Sequence, residues 1–478
     1  MVDFYTLSVS VVGVLLAVVA IDQFYQQYSH RWTNEPPFLP YRIPIVGHAL
    51  AFNKDLFAVF RRAQHHFSDS RPYSLMLFGH RVYVFTHNRD VSVVYRKSKE
   101  LPFTPLIENH AGHAWGISPH GMKRLSAIDE SGDSLFRNAH PFYRDALKPG
   151  PQLDLVTIQF LSYLQDALDQ FDRDQTTVTE RLFYNWSTTM LGKSSTNAMM
   201  GPSLLKNSPR FLRDAFEVDK GFFYFVNKVP RMFAKKQYAA RDRVLDALEK
   251  YFSDPQVIAE SAPMIRDREV QLREKGLTTR DIGAYSFSAY VALVTNAKTI
   301  TYNLLRHIFK RPQYLARIRE EIVPAFRSGR DILTLEQVSI VLNQCPVLKA
   351  FYHETLRMHA SASSNRVVVE EANIGGFTLK KGHNVICPSY LQHQAPEYFG
   401  EEPPPKLFDP ERYLQPVLKE KGKPANSSMI RAFGGGVSLC SGRHFAGNEV
   451  LSLAATVVWR YDIEFVRGDW VKMTPRFV

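Results

Sequence analysis

The stretch Phe433-Gly434-Gly435-Gly436-Val437-Ser438-Leu439-Cys440-Ser441-Gly442-Arg443 decides how this chain folds. Successive glycines let the backbone bend tightly just ahead of a cysteine, and the pattern after Cys440 predicts that a helix opens there. Backbone donors then converge on the sulfur, and a helix amino terminus favours its thiolate form. A thiolate shielded in this way suits an axial ligand to haem iron. Taken alone, the loop equally fits a Gly-rich turn around an incidentally buried cysteine.

Working upstream, Glu354-Thr355-Leu356-Arg357 places opposite charges at i and i+3 on an otherwise apolar helix that Pro346 opens. Phe408-Asp409-Pro410-Glu411-Arg412-Tyr413 brings a further arginine shortly before the glycines. Glu354, Arg357 and Arg412 can form a partly buried network. An isolated pair of this spacing more often sits on a solvated helix surface.

Three motifs in this order resemble the cytochrome P-450 family of haem-thiolate enzymes: E-x-x-R at Glu354 to Arg357, a P-E-R-F-like Pro410 to Tyr413, and F-x-x-G-x-x-x-C-x-G at Phe433 to Gly442. The resemblance implies a mainly α fold with a minor β part and haem b held by an axial cysteine thiolate. It implies Cys440 as the proximal iron ligand, Phe433 packed beside the sulfur, and Gly434 and Gly442 shaping the cofactor loop. By the same resemblance Glu354, Arg357 and Arg412 lock that loop. Arg443 and Arg366 stand where the family often pairs a haem propionate; the alternative is that both are surface arginines.

The long helical pattern from about residue 279 to 309 carries Ala292, Leu293, Val294, Thr295 and Asn296 where the family usually has A-G-x-acid-T. Neither the acid nor the alcohol is in its usual place. Asn296 can donate and accept hydrogen bonds but does not readily ionise, so proton delivery is expected through ordered water, Thr295 or Thr299. Asparagine here is similar to the branch with the sterol 7-alpha-hydroxylases and prostacyclin synthase, and to the plant allene oxide synthases. That set holds both monooxygenases and reductase-independent isomerases or dehydratases. A simpler reading has Asn296 bonding only the helix backbone.

The chain has 478 residues, 45% apolar and 22% charged, a globular composition that excludes a disordered or fibrous chain. With three cysteines and no C-x-x-C, neither a disulfide framework nor a zinc site is indicated. The net charge of +12 has no nucleic-acid motif behind it. The resemblance implies a basic face for an acidic redox partner, to which Lys419, Lys421, Lys423, Arg431 and Arg443 are candidates to contribute; an ordinary solvated charge cluster fits them equally. The implied partners are dioxygen, a lipophilic small molecule, and an NADPH-cytochrome reductase, with a cytochrome b-type donor as a second source.

Residues 4–21 carry no charge, and at ~1.5 Å per residue a helix there nearly crosses a ~30 Å hydrocarbon layer. Arg31 on the carboxyl side predicts a single-pass anchor in the endoplasmic reticulum membrane with the catalytic body cytosolic; a signal peptide and a buried helix are the alternatives. The organisation read from the sequence is an anchor over 1–22, a proline-rich hinge over 23–47 that holds the body off the membrane, and one haem-thiolate catalytic domain over 48–478. Short β-like runs are expected at 73–78 and 81–86, and helices over most of 155–360. By resemblance, residues 103–117 should roof the pocket, with Phe222, Phe223, Tyr224 and Phe225 beside Lys228 and Arg231 as a lid. The small, hydroxyl-rich run 361–366 leaves room for a bulky oxygenated ligand, and the hairpin after Trp459-Arg460 is expected to be short.

Overall fold

The computed structural model describes residues 4–68, 70–174, 181–329, 331–332, 334–414 and 429–476. The chain divides into two compact units, each built from segments far apart in sequence. The first comprises Met1–Leu106, Ser361–Lys406 and Ser428–Leu439, and the second Ile107–Ala360, Leu407–Ser427 and Cys440–Val478. No change of composition marks the crossings, because the chain passes repeatedly from one unit to the other.

The first unit is organised by a four-stranded sheet. Tyr73–Leu77 and His80–Val84 form an antiparallel hairpin close to the two expected β runs. His80–Val84 runs parallel to Asn384–Pro388, which pairs antiparallel with Ser363–Val367. Alternation puts Tyr83, Val385 and Cys387 into a core with Phe85, Val91, Val94 and Leu101. On its other side Leu75 and Val84 meet Leu39, Phe60 and Leu391.

The proline stretch packs along the sheet. Phe38, Leu39 and Tyr41 are buried, Leu39 N–H donates to Ser74 O (3.0 Å), and Ser74 N–H donates to Pro37 O (2.7 Å). Glu35 and Arg81 make a buried ion pair at 2.9 Å. The apolar residues between the prolines gain more by covering the sheet edge than by standing in water. Ahead of them runs a helix, Phe4–Thr33, whose later part is docked: Ser29 is fully buried and Gln26 nearly so. Among the described residues no helix is long and apolar enough to cross a membrane, and most side chains of the 4–21 run lie outside the described ones.

The second unit is helical. Its central element starts at Thr278, whose hydroxyl caps Asp281 N–H, and runs as Thr279–Tyr290, a π-helical turn at Val291–Thr295, and Asn296–Phe309. It is apolar on most of its circumference, with Ile282, Phe287, Leu304 and Ile308 fully buried, so it must be enclosed. The helices Phe183–Met200, Lys235–Phe252, Pro346–His359 and Arg443–Arg460 pack around it. The chain ends in the antiparallel pair Tyr461–Arg467 and Trp470–Pro475, extended by the short strand Arg181–Leu182.

Candidate active site

Within the first unit, the glycine loop lies directly on Tyr95. A Cβ at Gly435 would fall 2.6 Å from the Tyr95 ring, and one at Gly436 would fall 2.6 Å from its carbonyl oxygen. Gly434 and Gly436 also take positive φ, +73° and +65°, which only glycine adopts at no steric cost. Phe433 is partly buried where the loop begins.

Cys440 opens the final segment of the second unit, two residues ahead of Gly442, the N-cap of helix Arg443–Arg460. Burial pushes its thiol up, while the backbone N–H groups of Gly442 and Arg443 and the Arg443 charge favour the thiolate. Cys345 and Cys387 are buried in apolar surroundings that push both thiols up to about 12, so they remain protonated. Cys440 is the one cysteine with donors arranged for an anion.

In the second unit, Glu354 and Arg357 are fully buried. Arg357 donates through Nε and Nη2 to the two Glu354 oxygens, each at 2.7 Å, and Asp409 N–H donates to Glu354 Oε1 at 2.8 Å. Arg412 Nε lies 3.6 Å from the same oxygen. The three residues read from the sequence therefore come together, and burial removes the solvated-surface alternative.

Arg366 and Arg443 differ. Arg366 is buried between the Tyr95 and Phe103 rings, donating to Ser438 Oγ (2.5 Å) and Asn365 O (2.7 Å). No carboxylate bonds it among the described residues. A buried guanidinium with no acid beside it favours an anionic ligand group. Arg443 instead turns onto its own loop, donating to Cys440 O at 3.0 Å. Of the residues expected to contribute to a basic face, Arg431 donates to Asn88 and Ser92, and Lys419, Lys421 and Lys423 lie outside the described residues.

The π-turn separates the two residues expected to work over the cofactor. Asn296 is exposed and its side-chain N–H donates to Ala292 O at 3.1 Å. Thr295 is buried, and its hydroxyl donates to Val291 O (2.8 Å) and Asp219 Oδ1 (3.1 Å). The extra residue in the turn rotates Thr295 toward helix Phe211–Lys220. A Cβ at Gly442 would lie 3.2 Å from Leu293, so this part of the helix runs beside the cysteine segment. Nearby, Trp115 packs on Phe222 (5.1 Å between centroids) and Phe287 (5.8 Å). Of the lid aromatics, Phe225 is core, whereas Phe222, Phe223 and Tyr224 are each more than a third exposed.

A largely buried cysteine with backbone donors at a helix start, a buried Glu-Arg-Arg network and a buried arginine that no carboxylate bonds among the described residues fit a haem-thiolate protein. A model of the cytochrome P450 family matches residues 36–477, and the chain belongs to that family. It is 24% identical to cytochrome P450 monooxygenase poxD of Penicillium oxalicum, over 91% of this chain and 89% of that protein. It is 21% identical to the 24-hydroxycholesterol 7-alpha-hydroxylase of Homo sapiens, over 94% and 91%, in line with the sterol 7-alpha-hydroxylase resemblance. In fold it matches retinoic acid-bound cyanobacterial CYP120A1 with a TM-score of 0.69 at 19% identity, covering 92% of this chain and 99% of that one. The protein is an oxidoreductase of the monooxygenase type with haem as cofactor, and the family implies dioxygen, a small-molecule substrate and a redox partner.

Each unit by itself holds residues that fit that cofactor: in the second, Cys440 would supply the sulfur that binds the iron, and in the first, Arg366 would offer charge to a propionate. Sequence reasoning missed Tyr95 and Asp219, whose partners lie far along the chain and follow no motif.

Proposed function

We propose that the protein is a membrane-anchored monooxygenase that hydroxylates or otherwise oxidises a lipophilic terpenoid, steroid or polyketide-like molecule. Residues 4–21 anchor it in the endoplasmic reticulum membrane, with the catalytic body on the cytosolic side. Electrons come from an NADPH-cytochrome reductase, with a cytochrome b-type donor as a second source. The observation that carries this reading is the π-turn with Asn296 exposed and Leu293 beside Gly442, two residues from Cys440.

Haem, when bound, supplies dioxygen activation. Cys440 offers its sulfur as a thiolate, steadied by the Gly442 and Arg443 N–H groups. The Asn296 amide, fixed by Ala292 O, orients water with its remaining donor and acceptor positions. Trp115 and Phe222, backed by buried Phe287, present an apolar wall that orients a lipophilic substrate and keeps bulk water out.

A second reading, a reductase-independent isomerase or dehydratase acting on a peroxide or polycyclic intermediate, is favoured by the same Asn296, because it needs no proton delivery. Purified protein given reductase, NADPH and a panel of sterols and terpenoids separates the two. Product formed only with NADPH supports oxygenation; conversion of a lipid hydroperoxide without NADPH supports isomerisation.

A further inference from the structure

Two arginines on helix Lys235–Phe252 stand two positions apart and are used differently. Arg243, at the surface, forks Asp214 through Nε and Nη2 at 2.8 and 2.7 Å. Arg241 is 8% exposed, and no carboxylate bonds it among the described residues. Its Nη1 donates to His113 O (2.5 Å) and Ala114 O (3.5 Å), just ahead of Trp115. Its guanidinium lies over the Phe225 and Tyr238 rings, at 4.9 and 4.8 Å from their centroids. The Nε–Nη2 edge, the one with which Arg243 forks its acid, makes no hydrogen bond among the described residues, although Nε is buried. Gly116 borders that edge, since a Cβ there would lie 3.7 Å from Nε. The adjacent acid, Asp242, is bonded by Arg231 instead. Burial first, then the charges of Arg241 and Lys228, hold His113 below its usual range, so the surroundings are short of negative charge. A guanidinium buried without an acid favours a bound anion.

We propose that Arg241 anchors the substrate by a carboxylate, taken bidentately on the Nε–Nη2 edge, so that the substrate is a lipophilic carboxylic acid. This deepens the reading of the site as one for a lipophilic molecule and rests on it. Nη1 keeps the carbonyls ahead of Trp115, so the fork is held in place before a ligand arrives. The Phe225 and Tyr238 rings exclude water from the guanidinium, which strengthens a charge-assisted bond there. The apolar body of the acid lies along Trp115 and Phe222: Trp115 directly follows Ala114, and Phe222 shares the short helix Phe222–Val226 with Phe225. A carboxylate fits better than a phosphate, because one buried guanidinium balances a single negative charge and a dianion would leave the second uncompensated.

The test uses full-length haem-loaded protein and palmitic, abietic and cholanic acids, each beside its methyl ester. Binding near neutral pH is read by the Soret shift and by equilibrium dialysis of the radiolabelled ligand. At least one acid should bind ~10-fold or more tighter than its ester, although the ester is the more lipophilic molecule. Arg241→Gln still donates to a carbonyl ahead of Trp115 but carries no charge. It should bring the acid-to-ester ratio to about 1 and leave the ester's affinity within ~2-fold of wild type. Arg241→Lys, charged but without the fork, should fall between. Failure of all three acids to bind, equal binding of acid and ester in every pair, or a preference that survives in Arg241→Gln would each overturn the proposal. Equal weakening of acid and ester in that variant would also overturn it, leaving Arg241 a support of the Trp115 segment alone. NADPH consumption with reductase tests the wider reading separately. An acid that binds through Arg241 but is never oxidised with NADPH sinks the monooxygenase reading and leaves the anchor standing. NADPH-driven oxidation of neutral sterols with no preference for acids does the reverse.

Discussion

Arg357 grips both carboxylate oxygens of Glu354 at 2.7 Å in a place where neither side chain has any exposed surface. The pair is bidentate and charge-assisted, and Asp409 N–H and Arg412 use the remaining acceptor capacity of Glu354. Removing one partner leaves the other charge buried. Arg357→Leu should therefore destabilise the protein by about 3–5 kcal/mol. Urea unfolding checks the cost, and the carbon-monoxide difference spectrum should show most of the purified variant without cofactor. Arg357→Lys, which cannot reproduce the fork, should fall between.

The seating of the glycine loop on Tyr95 gives a steric prediction. Gly435→Ala forces a methyl to 2.6 Å from the ring, an overpacking that typically costs about 1–3 kcal/mol. Lower haem content should follow because the displaced loop leads directly into Cys440. Removing the obstacle as well, in Gly435→Ala with Tyr95→Leu, should recover haem content measured by pyridine haemochrome. A double variant no better than the single one would show that the ring is not the obstacle.

These two sites mark the limits of what a sequence conveys. Glu354 and Arg357 are one helical turn apart, and Cys440 closes a run of glycines, so local spacing alone announces both. Tyr95 lies 340 positions before Gly435 and resembles any aromatic on an amphipathic helix. The π-turn was invisible for a different reason: Val291 to Thr295 is an ordinary apolar helical run, and the extra residue is accommodated by what packs on it, including Asp219, 76 positions away. At the hinge, prolines signal stiffness without revealing that Phe38, Leu39 and Tyr41 find a sheet edge to cover. The long central helix was foreseen because an apolar surface on nearly all sides leaves it no other place than the interior.

Arg366 carries the charge the propionate assignment needs. Arg366→Leu should leave the fold in place, because Ser438 and Asn365 O lose only a donor, yet should speed haem transfer to apomyoglobin about 10-fold, a loss of about 1.4 kcal/mol of cofactor binding. Arg443→Leu should change that rate less, since its Nη1 is committed to Cys440 O. Equal effects would move the assignment to Arg443.

The docked half of the first helix sets where an anchor can be cut away. Asp22 accepts the Tyr41 hydroxyl at 3.0 Å and Gln26 Oε1 accepts Tyr41 N–H at 3.0 Å, so residues from 22 onward belong to the body. Deleting residues 2–21 should release the protein from microsomal membranes with its carbon-monoxide spectrum intact. Deleting residues 2–33 should lower thermal stability as well, because buried Ser29 goes with it. Retention of the shorter deletion in the membrane pellet would count against residues 4–21 as the anchor.

His307 and His359 supply a pH dependence whose sign can be worked out. Arg311 Nη1 donates to His307 Nδ1 at 3.0 Å, so His307 carries its hydrogen on Nε2 and donates it to His359 Nε2 at 2.9 Å. Both rings are neutral in this arrangement. Burial above all, then neighbouring positive charge, holds both imidazoles below their usual range, His359 at about 4. In the unfolded chain a histidine takes a proton near ~6.5, so between that pH and about 4 the unfolded state binds more protons than the folded one. Stability is therefore complete above ~6.5 and falls as the pH drops toward 4, by about 1.4 kcal/mol per pH unit for each proton taken up on unfolding. Urea midpoints at pH 7.5 and pH 5 should differ in that direction. His359→Gln keeps an acceptor for His307 Nε2 but cannot titrate, and should narrow the gap; an unchanged gap would assign the dependence to other histidines.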